Sequence, residues 1–271
     1  MSKHTEFKCI TTKSLQLMKA KGEKFSMLTA YDYSFAKIFD QAGLEVILVG
    51  DSAGNVMAGH ETTLPITLEQ MIYHTQSVVH GAKRALIVAD LPFGTYQSNG
   101  EVALASSIRM MKEGGAHALK LEGGLEVCNS VKRIVEAGIP VMGHLGLTPQ
   151  SIYKFGTYNV RAKEEAEAEK LKSDALALQE AGVFAIVLEK IPSKLAKEVT
   201  ESLQIPTIGI GAGNSCDGQV LVMHDMLGLY NEFNPRFVRK YMNLFEPVTQ
   251  AIQQYINDIK SGDFPNKEES Y

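Results

Sequence analysis

Four short apolar runs in this chain each finish on an acid: VILVGDS at Asp51, ALIVADLPF at Asp90, AHALKLEGG at Glu122 and FAIVLEKIP at Glu189. Two more end on polar or glycine-rich sequence, PVMGHLG at His144 and PTIGIGAG after Ile210. Val, Ile and Leu runs bounded by Gly and Pro read as strands covered on both faces, as in a parallel sheet. Thr11 or Thr12 caps a first helix through Lys21, with Gly22 as its stop, placed to plug the N-terminal end of a barrel. The pattern then predicts strands over 26–30, 46–50, 85–90, 118–121, 140–144, 183–189, 206–210 and 220–223. Helices are predicted over 32–41, 68–80, 99–113, 125–137, 163–182, 192–203 and 237–259. Within 163–182, Glu167 to Lys170 and Glu169 to Lys172 have ion-pair spacing, and Gly182 is the candidate stop. Two segments, 51–67 and 148–161, read as active-site loops.

Alternation of strand and helix through eight units is what closes a barrel, and an open doubly wound sheet does not require that number. The expected fold is α/β: a (β/α)8 TIM barrel with an N-terminal helix and active-site loops at the C-terminal face. The whole chain, 1–271, is expected to form one such domain, with residues 1–10 and 261–271 as flexible tails.

Carboxylates collected at strand C-termini sit where a β/α barrel builds its active site. Acids converging in one mouth repel unless a cation or shared protons offset the charge. Asp51 and Asp90 form a hard oxygen site suited to Mg²⁺, or each simply caps the helix that follows. Lys120 and Glu122 share a strand face in the triplet KLE. There Lys120 would bind a substrate carboxylate or keto oxygen and Glu122 would complete the metal shell, directly or through water; the alternative is a structural ion pair. Glu189, ending its strand, suits a general base or else a helix N-terminal charge. His144 is either a substrate hydrogen-bond donor or a satisfied core residue. The Gly209–Gly213 stretch, GIGAG, would cradle phosphate or simply allow close approach, and no neighbouring Lys or Arg reinforces phosphate.

Composition narrows the class. The chain has 271 residues, 45% hydrophobic and 21% charged, as expected of a globule with a sizeable core. A net charge of −4 gives no electrostatic case for nucleic acid or an anionic membrane, and no apolar run approaches the ~20 residues a bilayer span needs. Cys9, Cys128 and Cys216 are widely spaced and form no CxxC pattern, which suits reduced thiols. With no apolar h-region near the N-terminus, a cytoplasmic location is expected.

The segments MLTAYDYSFAKIFDQAG, ILVGDSAGNVMAGHETTLPITLEQM, VADLPFGTYQ, ALKLEGG, IPVMGHLGLTPQ and IPTIGIGAGNSCDGQVLVMHDMLGL extend over about 11–230. In wording and order they resemble the ketopantoate hydroxymethyltransferase family, also called 3-methyl-2-oxobutanoate hydroxymethyltransferase. The resemblance implies Mg²⁺ held by Asp51 and Asp90 with Glu122 in the metal shell. It implies oxo-acid contacts from Asp51, Ser52, Asp90 and Lys120, and proton abstraction by Glu189. The implied reaction moves a hydroxymethyl group from 5,10-methylenetetrahydrofolate to 3-methyl-2-oxobutanoate, through a metal-stabilised enolate, in pantothenate biosynthesis. A homo-oligomer, often a decamer, is a further family expectation. Lys190 stands where the family more often has a small or thiol side chain, and Ala53-Gly54-Asn55 is a looser match. Two rival readings are a phosphoenolpyruvate or isocitrate-lyase-like barrel and a non-catalytic metabolite-binding barrel.

Overall fold

The computed structural model describes residues 9–230 and 234–271. Positions 1–8 of the expected N-terminal tail lie outside the described residues. The elements run α1 (Thr12–Lys21), β1 (Phe25–Thr29), α2 (Tyr33–Ala42), β2 (Val46–Val49), α3 (Ala53–Val56), α4 (Leu68–Gly81), β3 (Leu86–Asp90) and α5 (Gly100–Arg109). They continue with β4 (Ala118–Glu122), α6 (Cys128–Glu136), β5 (Val141–Gly146), α7 (Ile152–Phe155), α8 (Glu165–Glu180), β6 (Ala185–Glu189), α9 (Ser193–Ser202), β7 (Thr207–Ile210) and β8 (Gly218–Leu221). Last come α10 (Met223–Leu227) and α11 (Phe245–Ser261).

Each strand pairs in parallel with the next, and β1 also pairs with β8, so the sheet closes on itself. The architecture is the expected (β/α)8 TIM barrel. Helix starts follow local chemistry. The Thr11 hydroxyl accepts from Ser14 N in a capping box, and Asp32 accepts from Ser34 N and Phe35 N at the start of α2. Leu15 of α1 is fully buried in the cluster formed by Phe25, Val46, Leu86 and Ala118, at the beginnings of their strands. That contact realises the expected plug. The close fit of α4 to α2 requires Gly81, where a Cβ would come within 2.5 Å of Tyr33 O.

Several boundaries differ from those the sequence pattern predicts. Strand β8 lies at Gly218–Leu221 rather than 220–223. Its first residue must be Gly, because a Cβ there would come 2.5 Å from the Phe25 ring across the barrel seam. That requirement erases the apolar signal. The 148–161 loop contains a 3-10 turn, Pro149–Ser151, running into α7 and stopped by Gly156 in the left-handed region. The 99–113 helix divides into α5 and a π-helical turn, Met110–Gly114. No helix runs from 237: α11 starts at Phe245, because Pro247 lacks an N–H and would break a helix in which it were interior. Glu169 and Lys172 pair at 3.1 Å, but Glu167 joins Arg161 while Lys170 joins Asp174 and Glu126.

The chain divides into two compact units, 1–221 and 222–271. The first holds the barrel. In the second, α11 carries its apolar side chains exposed, among them Val248, Ile252 and Ile256. No helix among the described residues is long and apolar enough to cross a membrane.

Candidate active site

Strand parity gathers the polar residues. Val88 of β3, Ala118 of β4, Met142 of β5 and Val187 of β6 belong to the barrel's central apolar cluster. Side chains two residues apart share a strand face. The same inner face therefore carries Asp90, Lys120, Glu122, His144 and Glu189 towards the C-terminal ends. Register sets them side by side, with Asp90 beside Lys120, Glu122 beside His144, and Gly146 beside Glu189. Asp51 follows β2, and its backbone N–H donates to Asp90 Oδ2 at 3.0 Å. Asp51, Asp90, Lys120, Glu122 and His144 are all buried, and Glu189 is partly so.

A chain of contacts runs across this face. Lys120 Nζ lies 2.9 Å from Asp90 Oδ1 and 3.2 Å from His144 Nδ1. His144 Nδ1 also faces Glu122 Oε1 at 3.3 Å, and its Nε2 faces Glu189 Oε2 at 3.3 Å. Ser52 Oγ lies 2.8 Å from Tyr31 Oη. The sequence-predicted residues thus meet at one end of the barrel.

Their charges are poorly balanced. Burial, followed by repulsion from Glu122 and Asp90, pushes the Asp51 carboxyl well above its ordinary range. Burial also raises Asp90, although Lys120 opposes the shift. For Lys120, burial alone favours the neutral amine, but Asp90, Glu122 and Asp51 outweigh it and hold the ammonium. His144 is raised to about 9: burial and Lys120 act against its charge, and the Glu122 and Glu189 carboxylates prevail. Burial acts to raise Glu122, yet His144, Lys120 and the Gln150 N–H bring it below its ordinary value.

Two buried aspartates with surplus negative charge make a donor set that fits a hard divalent cation completed by water and substrate oxygens. Both Glu122 oxygens are engaged, Oε1 with His144 and Oε2 by the Gln150 N–H at 2.9 Å. Among the described residues, no three His, Cys, Asp or Glu side chains form a ready-made ligand group.

Gln150 and Tyr96 carry no mark in the sequence that singles them out. Gln150 Nε2 donates to Asp51 Oδ2 at 2.9 Å, and Tyr96 Oη donates to Gln150 Oε1 at 2.7 Å. Gln150 lies in the predicted 148–161 loop and Tyr96 between the predicted strand 85–90 and helix 99–113; both fall in segments that carry the family resemblance, which names neither of them for a role. Lys190, at φ +45°, accepts from Arg161 N and reaches Tyr158 O with its ammonium, tying the β5–α8 connection to the residue after Glu189. In the GIGAG stretch, a Cβ at Gly213 would press on Ser193, so that glycine serves close packing.

The family model described as ketopantoate hydroxymethyltransferase matches residues 9–267. The chain belongs to the ketopantoate hydroxymethyltransferase family. With that membership it joins the hydroxymethyltransferases. It is 68% identical to the 3-methyl-2-oxobutanoate hydroxymethyltransferase of Flavobacterium johnsoniae, over 98% of each chain. It is 66% identical to the enzyme of that name from Parabacteroides distasonis, over 97% of this chain and 96% of the relative. Solved structures share its fold at low identity. Phosphonopyruvate hydrolase in complex with oxalate and Mg²⁺ superposes with TM-score 0.62 at 11% identity, covering 96% of this chain and 93% of that one. A 2,3-dimethylmalate lyase of the PEP mutase/isocitrate lyase superfamily gives 0.60 at 15%, covering 96% and 89%. At such identities the likeness concerns the fold alone.

Proposed function

We propose that this chain transfers a hydroxymethyl group from 5,10-methylenetetrahydrofolate to 3-methyl-2-oxobutanoate, giving 2-dehydropantoate and tetrahydrofolate for pantothenate biosynthesis. The observation that carries this reading is the convergence of Asp51, Asp90, Lys120, Glu122, His144 and Glu189 at one end of the barrel in a chain of this family. Asp51 and Asp90 would hold Mg²⁺, with Glu122, whose oxygens meet His144 and the Gln150 N–H, completing the shell directly or through water. When bound, that ion supplies Lewis acidity toward the carboxylate and 2-keto oxygens of the oxo acid.

The protein's own groups do the rest. Lys120 offers a cation to the oxo-acid oxygens, and Ser52 offers a hydroxyl held by Tyr31. Glu189 takes the C3 proton, while His144, lodged between Glu122 and Glu189, holds that carboxylate in place. The deprotonated C3 forms a bond to the one-carbon unit of the folate, water supplies the hydroxyl oxygen, and both C–N bonds of that unit break with protons returning to the nitrogens of tetrahydrofolate.

A homo-oligomer, a decamer by family expectation, and a cytoplasmic location belong to the same proposal. The exposed apolar side chains of α11 support association with further copies. Incubating the protein with 3-methyl-2-oxobutanoate, 5,10-methylenetetrahydrofolate and Mg²⁺ should yield 2-dehydropantoate and tetrahydrofolate. Absence of product with folate and metal saturating would overturn the assignment.

A further inference from the structure

We propose that Gln150 is a positioning residue that fixes the Asp51 carboxylate, and that Tyr96 in turn fixes the Gln150 amide. The inference rests on the reading of Asp51 and Asp90 as cation ligands.

Every hydrogen-bonding site of the buried Gln150 side chain is used. Nε2 donates to Asp51 Oδ2 at 2.9 Å and to Leu91 O at 3.0 Å. Oε1 accepts from Tyr96 Oη at 2.7 Å and from Gln97 Nε2 at 3.1 Å. The orientation of the amide is chemically determined. Turned over, its oxygen would face a carboxylate and a carbonyl, both acceptors, and its NH₂ would face the Gln97 NH₂. The backbone N–H of the same residue donates to Glu122 Oε2 at 2.9 Å. Gln150 therefore restrains two of the three carboxylates proposed for the metal shell, while touching the chain just beyond the third through Leu91.

The choice of an amide follows from charge. Asp51 faces like charge from Glu122 and Asp90. A Lys or Arg in place of Gln150 would also hold it, but would neutralise the charge a cation needs. A neutral N–H donor holds the carboxylate and leaves its charge available. Tyr96 completes the device: its hydroxyl donates to Gln150 Oε1 and accepts from Glu122 N at 3.1 Å, joining the amide to the last residue of β4. Partners behind a ligand of this kind typically change metal affinity by about 10- to 100-fold.

The test reads binding of Mn²⁺, a paramagnetic stand-in for Mg²⁺, by electron paramagnetic resonance and calorimetry in the full chain. Gln150→Met, of similar length and without donors, should weaken Mn²⁺ binding about 10- to 100-fold. Tyr96→Phe should weaken it less, and the double variant should lose less than the product of the two single losses. Metal-free thermal unfolding identifies the folded variants. Should Gln150→Met fail to fold, Tyr96→Phe, which keeps the ring packing, carries the decision. Wild-type Mn²⁺ affinity in a folded Gln150→Met or Tyr96→Phe protein overturns the inference, as does full multiplicativity in the double variant. A wild-type protein that binds no Mn²⁺ overturns the reading beneath it as well, so the two failures are distinguishable.

Discussion

His144 Nε2 stands 3.3 Å from Glu189 Oε2, the side chain of the last residue on the neighbouring strand β6. The imidazole contacts Glu122 through its other nitrogen, so two carboxylates from opposite sides share one ring. Removing the ring would leave both acids without that partner. His144→Gln should lower turnover by about 10²-fold or more, the lower range for losing a group that assists proton transfer. Steady-state kinetics with substrate-binding controls would check it, and unchanged turnover would separate His144 from the reaction.

The proposed role of Glu189 as base is tested by isotope exchange. Wild-type protein with Mg²⁺ and 3-methyl-2-oxobutanoate in D₂O should exchange the C3 proton without folate. Glu189→Gln should lose about 10²–10⁴-fold in exchange rate while still binding the oxo acid. NMR at C3 reads the outcome; exchange at the wild-type rate would remove Glu189 from the role of base.

Stability of the metal-free protein should fall with rising pH. His144 is raised in the fold from 6.5 to about 9, so its contribution is complete below 6.5 and lost as pH climbs through about 9. A tenfold gain in proton affinity on folding is worth ~1.4 kcal/mol, which makes the loss on the order of a few kcal/mol. Asp51, also raised above its unfolded value, acts with the same sign: its contribution is lost as the pH climbs toward its raised value. Thermal unfolding from pH 6 to 9 should show a declining midpoint, and a smaller decline in His144→Gln. A flat profile in the wild type would contradict the linkage.

Gly146 occupies φ +93°, and a Cβ there would overlap Glu189 O. The closeness is used: Leu147 N donates to that carbonyl at 2.9 Å. Gly146→Ala should cost about 1–3 kcal/mol of stability from backbone strain alone and should displace Glu189. Denaturant unfolding together with the exchange rate would show both effects.

Leu15 offers a control remote from the chemistry. Leu15→Ala would open a cavity beneath the barrel and cost about 2–5 kcal/mol. At temperatures where the variant stays folded, Mn²⁺ affinity should be unchanged. A marked loss of affinity would show that the apolar floor and the polar mouth are energetically coupled.

Much of this protein is legible along the chain. Apolar runs mark the strands, Thr11, Gly22 and Gly182 mark helix ends, and the acids closing four runs mark the end of the barrel where they converge. These signals are local: period two, caps and left-handed stops act within a few residues. What joins Asp51 to Gln150, 99 positions apart, or Tyr96 to Gln150, 54 apart, has no local trace, because a side chain's partner across a barrel is set by closure and register. The same holds for β8, whose first residue gave up its side chain to Phe25 at the seam, and for His144, whose two nitrogens found two acids only once β4, β5 and β6 lay side by side. Sequence alone determined which residue types stand at the strand ends. Tertiary structure decided which of them touch, since charge, burial and hydrogen bonding become pairwise only when distant segments share one space.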